Sequence, residues 1–464
     1  MLKKNIIKFC FATILLVTAG SCGKKLEVQP KQSIDAATAI TTPDDVEAAI
    51  VGAYSILGGG ALYGTNLFMN ADLQAMEGYC SWRGTFQGQR QIANKTMTRD
   101  NTEASRTWIA GYAAINMANT VLDALGLVTD AAQKNKLEGE ALFIRGIIHF
   151  ELVRYYALPW GATAANDHIG VVIKTTPTKN ETQAFERIPR STVAQVYTQV
   201  IADLTAAINK LPDDNGTRAD RYTAQAFLAR VYLQQGNYAG ALAAANAVIN
   251  SGKYKMNASV RAVFDNKNTA ESIWEIQQNE QNNAGTANDG MATFYASLVG
   301  IGRADVRMNT NFLNTYPAGD LRRTEWYYVG VGARPGNWYC GKWKSFSQNL
   351  PVIRIAEMYL IRAECNLRLG STTGDTPAND VAQVRNPIRT NLPALVAPTL
   401  NDVLQERLYE LAFEGLRIHD VKRLKQTLTS AAGTFPWNDK YLVFPIPARE
   451  VDATGGVVAQ NPGY

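Results

Sequence analysis

Histidine is almost missing from this 464-residue chain, which has three, and cysteine is sparse at five. His149, His168 and His419 lie far apart and share no metal-ligand spacing with each other, with Cys or with carboxylates. A nucleophile elbow, a phosphate loop and a dinucleotide fingerprint are all lacking. The triplet Gly58, Gly59, Gly60 is followed by no Lys-Ser or Lys-Thr, so it reads as a helix stop. An excess of one charge is lacking too. Of 46 Lys and Arg, three (Lys3, Lys4, Lys8) fall in the leader described below, which leaves 43 against 41 Asp and Glu. That balance speaks against nucleic acid or a polybasic membrane face as partner. After the first twenty or so residues no long apolar run recurs, so the body carries no predicted membrane span. With these signals absent, neither a catalytic residue nor a metal or cofactor site is assigned.

What is present begins at the N-terminus. Lys3, Lys4 and Lys8 precede an apolar core over Phe9 to Val17, and Ala19, Gly20 and Ser21 then lead to Cys22. The core is too short for a permanent span and the small residues suit a peptidase, so residues 1–21 read as an export signal. Cys22 is then the predicted lipid attachment point, where each buried CH₂ contributes about 0.8 kcal/mol. Leu is usual three residues before such a cysteine and Ala19 stands there, so plain secretion is the alternative. Cys10 leaves with the signal, and Cys80, Cys340 and Cys365 remain. At most one disulfide is possible. Cys80 with Cys340 is the candidate pair, and Cys365, in a helical pattern, reads as a buried free thiol.

Residues 22–41 have no periodicity and read as a tether. A first helix is predicted after Thr42, with Pro43 in its first turn and apolar positions Val46, Ile50, Ala53, Tyr54 and Leu57. Residues 61–105 are aperiodic and read as functional loops. From Arg106 onward come helical patterns ended by Gly or Pro, including a pair joined through Gly236 and Asn237 with Ala226, Ala229, Ala241 and Ala245 facing each other. Such pairs, in units of roughly 34 residues, look like tetratricopeptide repeats. Residues 253–350 are turn-rich with one strand candidate, SIWEIQ, and helices return near Val352. The predicted fold is mainly α, a tetratricopeptide-like scaffold with a loop-rich layer and a few short strands. The predicted divisions are 1–21, 22–41, 42–270 and 271–464.

Glu406, Glu410 and Glu414 repeat every four residues beside Arg407, Arg417 and Arg423, which reads as helix ion pairing. Aromatics in the loop segments carry the remaining signal. Tyr79, Trp82, Tyr295, Trp326, Trp338 and Tyr339, beside Arg83, Asp72, Asn66 and Asn337, offer ring faces and polar groups for a sugar. Packing of those rings onto the helices is the competing reading. A peptide ligand is the alternative, with Arg83, Arg303 and Asp72 taking its charged ends. A surface hydrolase is a further one, for which no carboxylate pair is positioned.

Several long segments carry a resemblance: LEVQP, VGAYSIL, GYAAINMANTVLD, GEALFIRGIIHFELVRYYALPWG, DLTAAINKLP, RIAEMYLIRAE, ERLYELAFEGLRIHDVKRL, YLVFPIPAREVD and QNPGY. In these the chain resembles the SusD/RagB-like outer-membrane nutrient-binding lipoproteins of Bacteroidetes over nearly all of its mature length. The resemblance implies a SusD-like helical scaffold, and a surface-exposed, lipid-anchored protein that captures a glycan or peptide. It implies delivery of that nutrient to a SusC-like TonB-dependent transporter, and it does not carry over to Trp82 or Trp338, which rest on chemistry alone.

Overall fold

The computed structural model describes residues 40–430 and 433–464; the export signal, Cys22 and nearly all of the tether lie outside the described residues. Numbering only helices of six or more residues, the first is α1 (Pro43–Gly58). Thr42 caps it reciprocally: its hydroxyl accepts from the Asp45 N–H at 3.3 Å while the Asp45 carboxylate accepts from the Thr42 N–H at 2.9 Å. Helices α2 (Asn66–Gln74) and α3 (Gln87–Asn94) follow, where the sequence pattern predicts only loop. All nine residues of α2 are buried, so it has no solvent face and leaves no amphipathic period to read.

The scaffold is an antiparallel series: α4 (Thr102–Ala124), α5 (Ala131–Tyr156), α6 (Val193–Lys210), α7 (Arg221–Gln235) and α8 (Tyr238–Asn250). Each packs on the next, and α1 packs on α4. Gly236, at φ 72°, ends α7 in the left-handed conformation that the tight α7–α8 turn needs. The array continues into the second half of the chain, where α9 (Ile355–Leu369) packs on α8, α10 (Pro377–Val384) and α11 (Leu400–Glu410). Helices α12 (Arg417–Arg423) and α13 (Ala448–Ala453) complete it, and Thr42–Tyr464 forms one compact unit. Among the described residues no helix is long and apolar enough to cross a membrane.

The loop-rich layer is held by two-stranded antiparallel ribbons. Strand β1 (Cys80–Trp82) pairs with β3 (Val306–Met308), setting Trp82 opposite Val306. Strand β2 (Ser272–Ile276), within the predicted SIWEIQ, pairs with β6 (Leu350–Arg354), and β4 (Tyr327–Val329) pairs with β5 (Trp338–Cys340). A fourth ribbon joins β7 (Leu428–Ser430) to β8 (Gly433–Phe435). Cys80, Cys340 and Cys365 are free and buried, and burial pushes the Cys340 and Cys365 thiols up to about 12.

The Glu406, Glu410 and Glu414 carboxylates form ion pairs as expected, but with other partners. Arg407 and Arg423 turn instead to Glu357, Glu364 and Asp420. The three carboxylates are bound by Arg322, Arg354, Arg385, Arg389 and Lys342, from the layer and from around α9 and α10. His149 is buried, with Nδ1 2.9 Å from the Arg145 carbonyl, and burial lowers it to about 4. His419 packs edge-on against Tyr155 at 5.3 Å.

Candidate functional site

Five of the predicted site residues lie in the interior. Trp326 is fully buried, its indole N–H donating to the Val260 carbonyl at 2.8 Å and the Lys342 ammonium standing 3.9 Å from its ring centroid. Tyr339 is buried with its hydroxyl on the Arg334 carbonyl at 2.8 Å. Tyr79 stacks on Phe413 at 4.2 Å and its hydroxyl oxygen accepts the Phe413 N–H at 2.6 Å. Tyr295 donates to the Asp72 carboxylate at 2.7 Å, and both are buried. These side chains hold the loops to the helices and do not present faces to a ligand. Asn66 is equally buried, donating to Glu103 and Thr107.

Asp72 has a measurable consequence. Burial pushes its carboxyl up to about 8, against the opposing effects of the Tyr295 hydrogen bond and the Lys342 charge. The folded state therefore holds a proton that the unfolded chain releases near pH 4, so this site contributes stability at acid pH that is lost as the pH rises toward 8. Asp72→Asn should remove that loss: between pH 5 and 8 the wild type should decline relative to the variant by on the order of 3 kcal/mol in urea unfolding. Parallel pH profiles for the two proteins would contradict it.

Trp82, Arg83 and Trp338 do reach the surface, Trp82 and Trp338 half-buried and Arg83 exposed. Trp82, at the end of β1, rests on Phe294 at 5.9 Å, and Phe86 meets the same ring at 6.0 Å. Gly84 lies under the indole: a Cβ there would stand 2.3 Å from the Trp82 ring and 2.8 Å from the Asp305 carboxyl carbon. Asp305 is fully buried and accepts from Arg303 Nε at 2.8 Å and Arg334 Nη1 at 2.6 Å. Its carbonyl also takes the Arg83 N–H, at 2.6 Å. The Arg303 guanidinium lies 4.4 Å over the Phe86 ring. Ala304 and Arg334 hold left-handed φ values of 57° and 51°, a cost of order 1 kcal/mol or more each that the surrounding bonds sustain.

The result is a shallow platform of two half-buried rings, Trp82 and Phe86, with Arg303 covering one face of Phe86 and Arg83 and Arg334 beside them. One buried carboxylate faces Arg303 and Arg334, and the Arg83 side chain has no ion pair among the described residues, so the platform is cationic. The Trp82 indole N–H points inward: its nitrogen is buried and has no hydrogen-bond partner among the described residues. Trp338 sits opposite Val329 across β4 and β5, with the Arg323 guanidinium 4.2 Å over its ring. One face of that indole is thus already occupied. Asn337 donates to the Arg334 and Pro335 carbonyls and fixes the β4–β5 turn. Sequence reasoning found Trp82, Trp338 and Arg303, but it missed Phe86, and it missed Arg334, Arg323 and Asp305, which take their roles only from the apposition of the 303–305 loop with that turn. Among the described residues no group of three His, Cys, Asp or Glu is arranged to hold a metal ion.

A separate groove of about 500 Å³ lies between α4, the segment 172–188 and α13. No motif in the sequence signals it.

Residues 25–233 match a SusD-like family model described as starch-binding and associating with the outer membrane, and residues 341–436 match the SusD family model. SusD-like protein P2 of Formosa agariphila is 26% identical, the alignment covering all of both chains. A SusD superfamily protein from Bacteroides thetaiotaomicron superposes with a TM-score of 0.82 at 26% identity, covering 91% of this chain and 100% of that one. A laminarin-binding SusD-like protein superposes with a TM-score of 0.76 at 22% identity, covering 92% and 100%, a likeness of fold. The chain belongs to the SusD/RagB-like family, and its fold is the family's mainly α, tetratricopeptide-like one.

Proposed function

We propose that this protein captures an oligosaccharide on the Trp82–Phe86 platform, at the surface of the outer membrane. Cys22 carries the lipid anchor in this reading, and the partner that receives the sugar is a SusC-like TonB-dependent transporter. The observation that carries the proposal is the pairing of half-exposed rings with guanidinium groups on a shallow surface. Ring faces meet the C–H faces of pyranoses, and forked N–H donors meet their hydroxyls. Family membership and the laminarin binding of a protein of the same fold support the ligand class. The peptide alternative loses ground on one point: Asp72, which would take the amine end, is buried against Tyr295. A hydrolase would need a free carboxylate pair, and the platform's own carboxylate, Asp305, is tied to two arginines.

Calorimetric titration of the protein lacking residues 1–22 against plant, host and microbial glycans and mixed peptides tests the reading. Micromolar to millimolar binding to one glycan class supports it, whereas heat from peptides alone overturns it.

A further inference from the structure

The groove beside α4 has features that the platform does not use. Trp108 and Tyr112 line it from α4, and large apolar side chains stand open to solvent at its rim, Phe185 at 73% exposure and Ile109 at 50%. Its volume of about 500 Å³ falls in the range that encloses small organic ligands. Ser105, Asn116 and Gln183 add hydroxyl and amide groups to the same wall.

The charges around it do not balance. Lys174 and Glu186 cancel as a pair at 3.0 Å. Arg187 and Arg449 also line the groove, both exposed, and neither has an ion-pair or hydrogen-bond partner among the described residues. Behind the groove lies Arg190, buried, whose guanidinium donates only to neutral acceptors: the carbonyls of Gly170, Tyr156 and Ala459 and the Asn461 side chain. Its charge is felt at the Tyr112 hydroxyl, as is that of Glu450, the one unpaired carboxylate of the lining. Two uncompensated guanidinium groups, those of Arg187 and Arg449, therefore share the groove with a single unpaired carboxylate, and Arg190 adds a third positive charge behind it. Most other buried arginines of this protein are matched to acids, for example Arg145 to Asp203 and Arg230 to Glu357.

We infer that this groove is a second ligand site, and that it takes a uronic-acid oligosaccharide whose carboxylates meet Arg187 and Arg449 while its ring faces lie against the apolar rim. The inference extends the reading of the protein as a glycan-capture protein. The amide and hydroxyl groups suit a polyhydroxylated ring, and the free guanidinium forks suit carboxylates, which they bind in two-point contacts.

The test is calorimetric titration of a hexuronate trimer, the neutral hexose trimer of the same linkage, and a tripeptide of equal negative charge. Each is added to the wild type, to Trp82→Ala, and to the double variant Arg187→Gln, Arg449→Gln. The acidic trimer should bind the wild type more tightly than either other probe and should weaken by about 10- to 100-fold in the double variant. Both side chains are exposed, so the melting temperature of the double variant should match the wild type. Trp82→Ala should leave the acidic trimer unaffected. Equal affinity in the wild type and the double variant overturns the inference, as does tighter binding of the peptide or no preference for the acid. Loss of the acid in Trp82→Ala alone moves it to the platform, which overturns the groove site and leaves the capture reading standing. Silence of the wild type toward both sugars, in a protein that binds another glycan, overturns the groove alone.

Discussion

Replacing Glu410 by glutamine is expected to lower the free energy of unfolding by about 3–5 kcal/mol. Glu410 is completely buried and accepts from Arg389 at 2.7 and 2.9 Å, Arg354 at 3.1 Å and Arg322 at 3.4 Å. Those cations in turn bind Asp320, Glu271, Glu406 and Glu414, with Lys342 and Arg385 closing the set. Five carboxylates thus meet five cations, and the amide would leave one guanidinium charge buried without its counter-ion. The surrounding cations hold the Glu410 carboxyl well below the usual carboxylate range despite its burial. Its contribution is therefore present above about pH 4.3 and is lost as the pH falls through the lower folded value. Urea unfolding at neutral pH measures the change: a lower midpoint at unchanged slope is expected, and a loss under about 1 kcal/mol would contradict the network.

The second large effect is on binding. Trp82→Ala should weaken capture of the glycan by about 10- to 100-fold, because truncating a central aromatic anchor typically costs about 2 kcal/mol or more of binding free energy. Trp82→Phe should recover part of it, since a smaller ring face remains. Trp82 is only half-buried against Phe294, so the alanine variant should stay folded and the melting temperature should move little. The contrast with Trp326 is instructive. Its indole is wholly enclosed, so alanine there should fail as a folding defect and not as a binding defect.

That contrast marks what the sequence could and could not reveal. The Thr42 cap, Pro43 and the Gly236–Asn237 turn act through neighbours a few residues away, so their helices were legible from local pattern. The strand at Ser272–Ile276 was legible for the same reason. Burial of loop aromatics was not. Trp326 is fixed by the carbonyl of Val260 and Tyr295 by Asp72, 223 residues upstream, and no local period encodes such partners. Glu410 is similar: its spacing from Glu406 and Glu414 predicts ion pairs, but Arg322 and Arg354 arrive from elsewhere in the fold. Helix α2 escaped because a segment buried on every side has no amphipathic signature. The platform was half legible, Trp82 by type but Phe86 and Arg334 not at all, since Asp305 gathers Arg303 and Arg334 only once the 303–305 loop and the β4–β5 turn are apposed.

The most direct test of the account is a crystal structure of the protein with the oligosaccharide that titration identifies. The account predicts a sugar ring against Trp82, beside Phe86, with hydroxyls within hydrogen-bond distance of Arg83 or Arg303. A sugar bound elsewhere, with the Trp82–Phe86 surface bare, would contradict it.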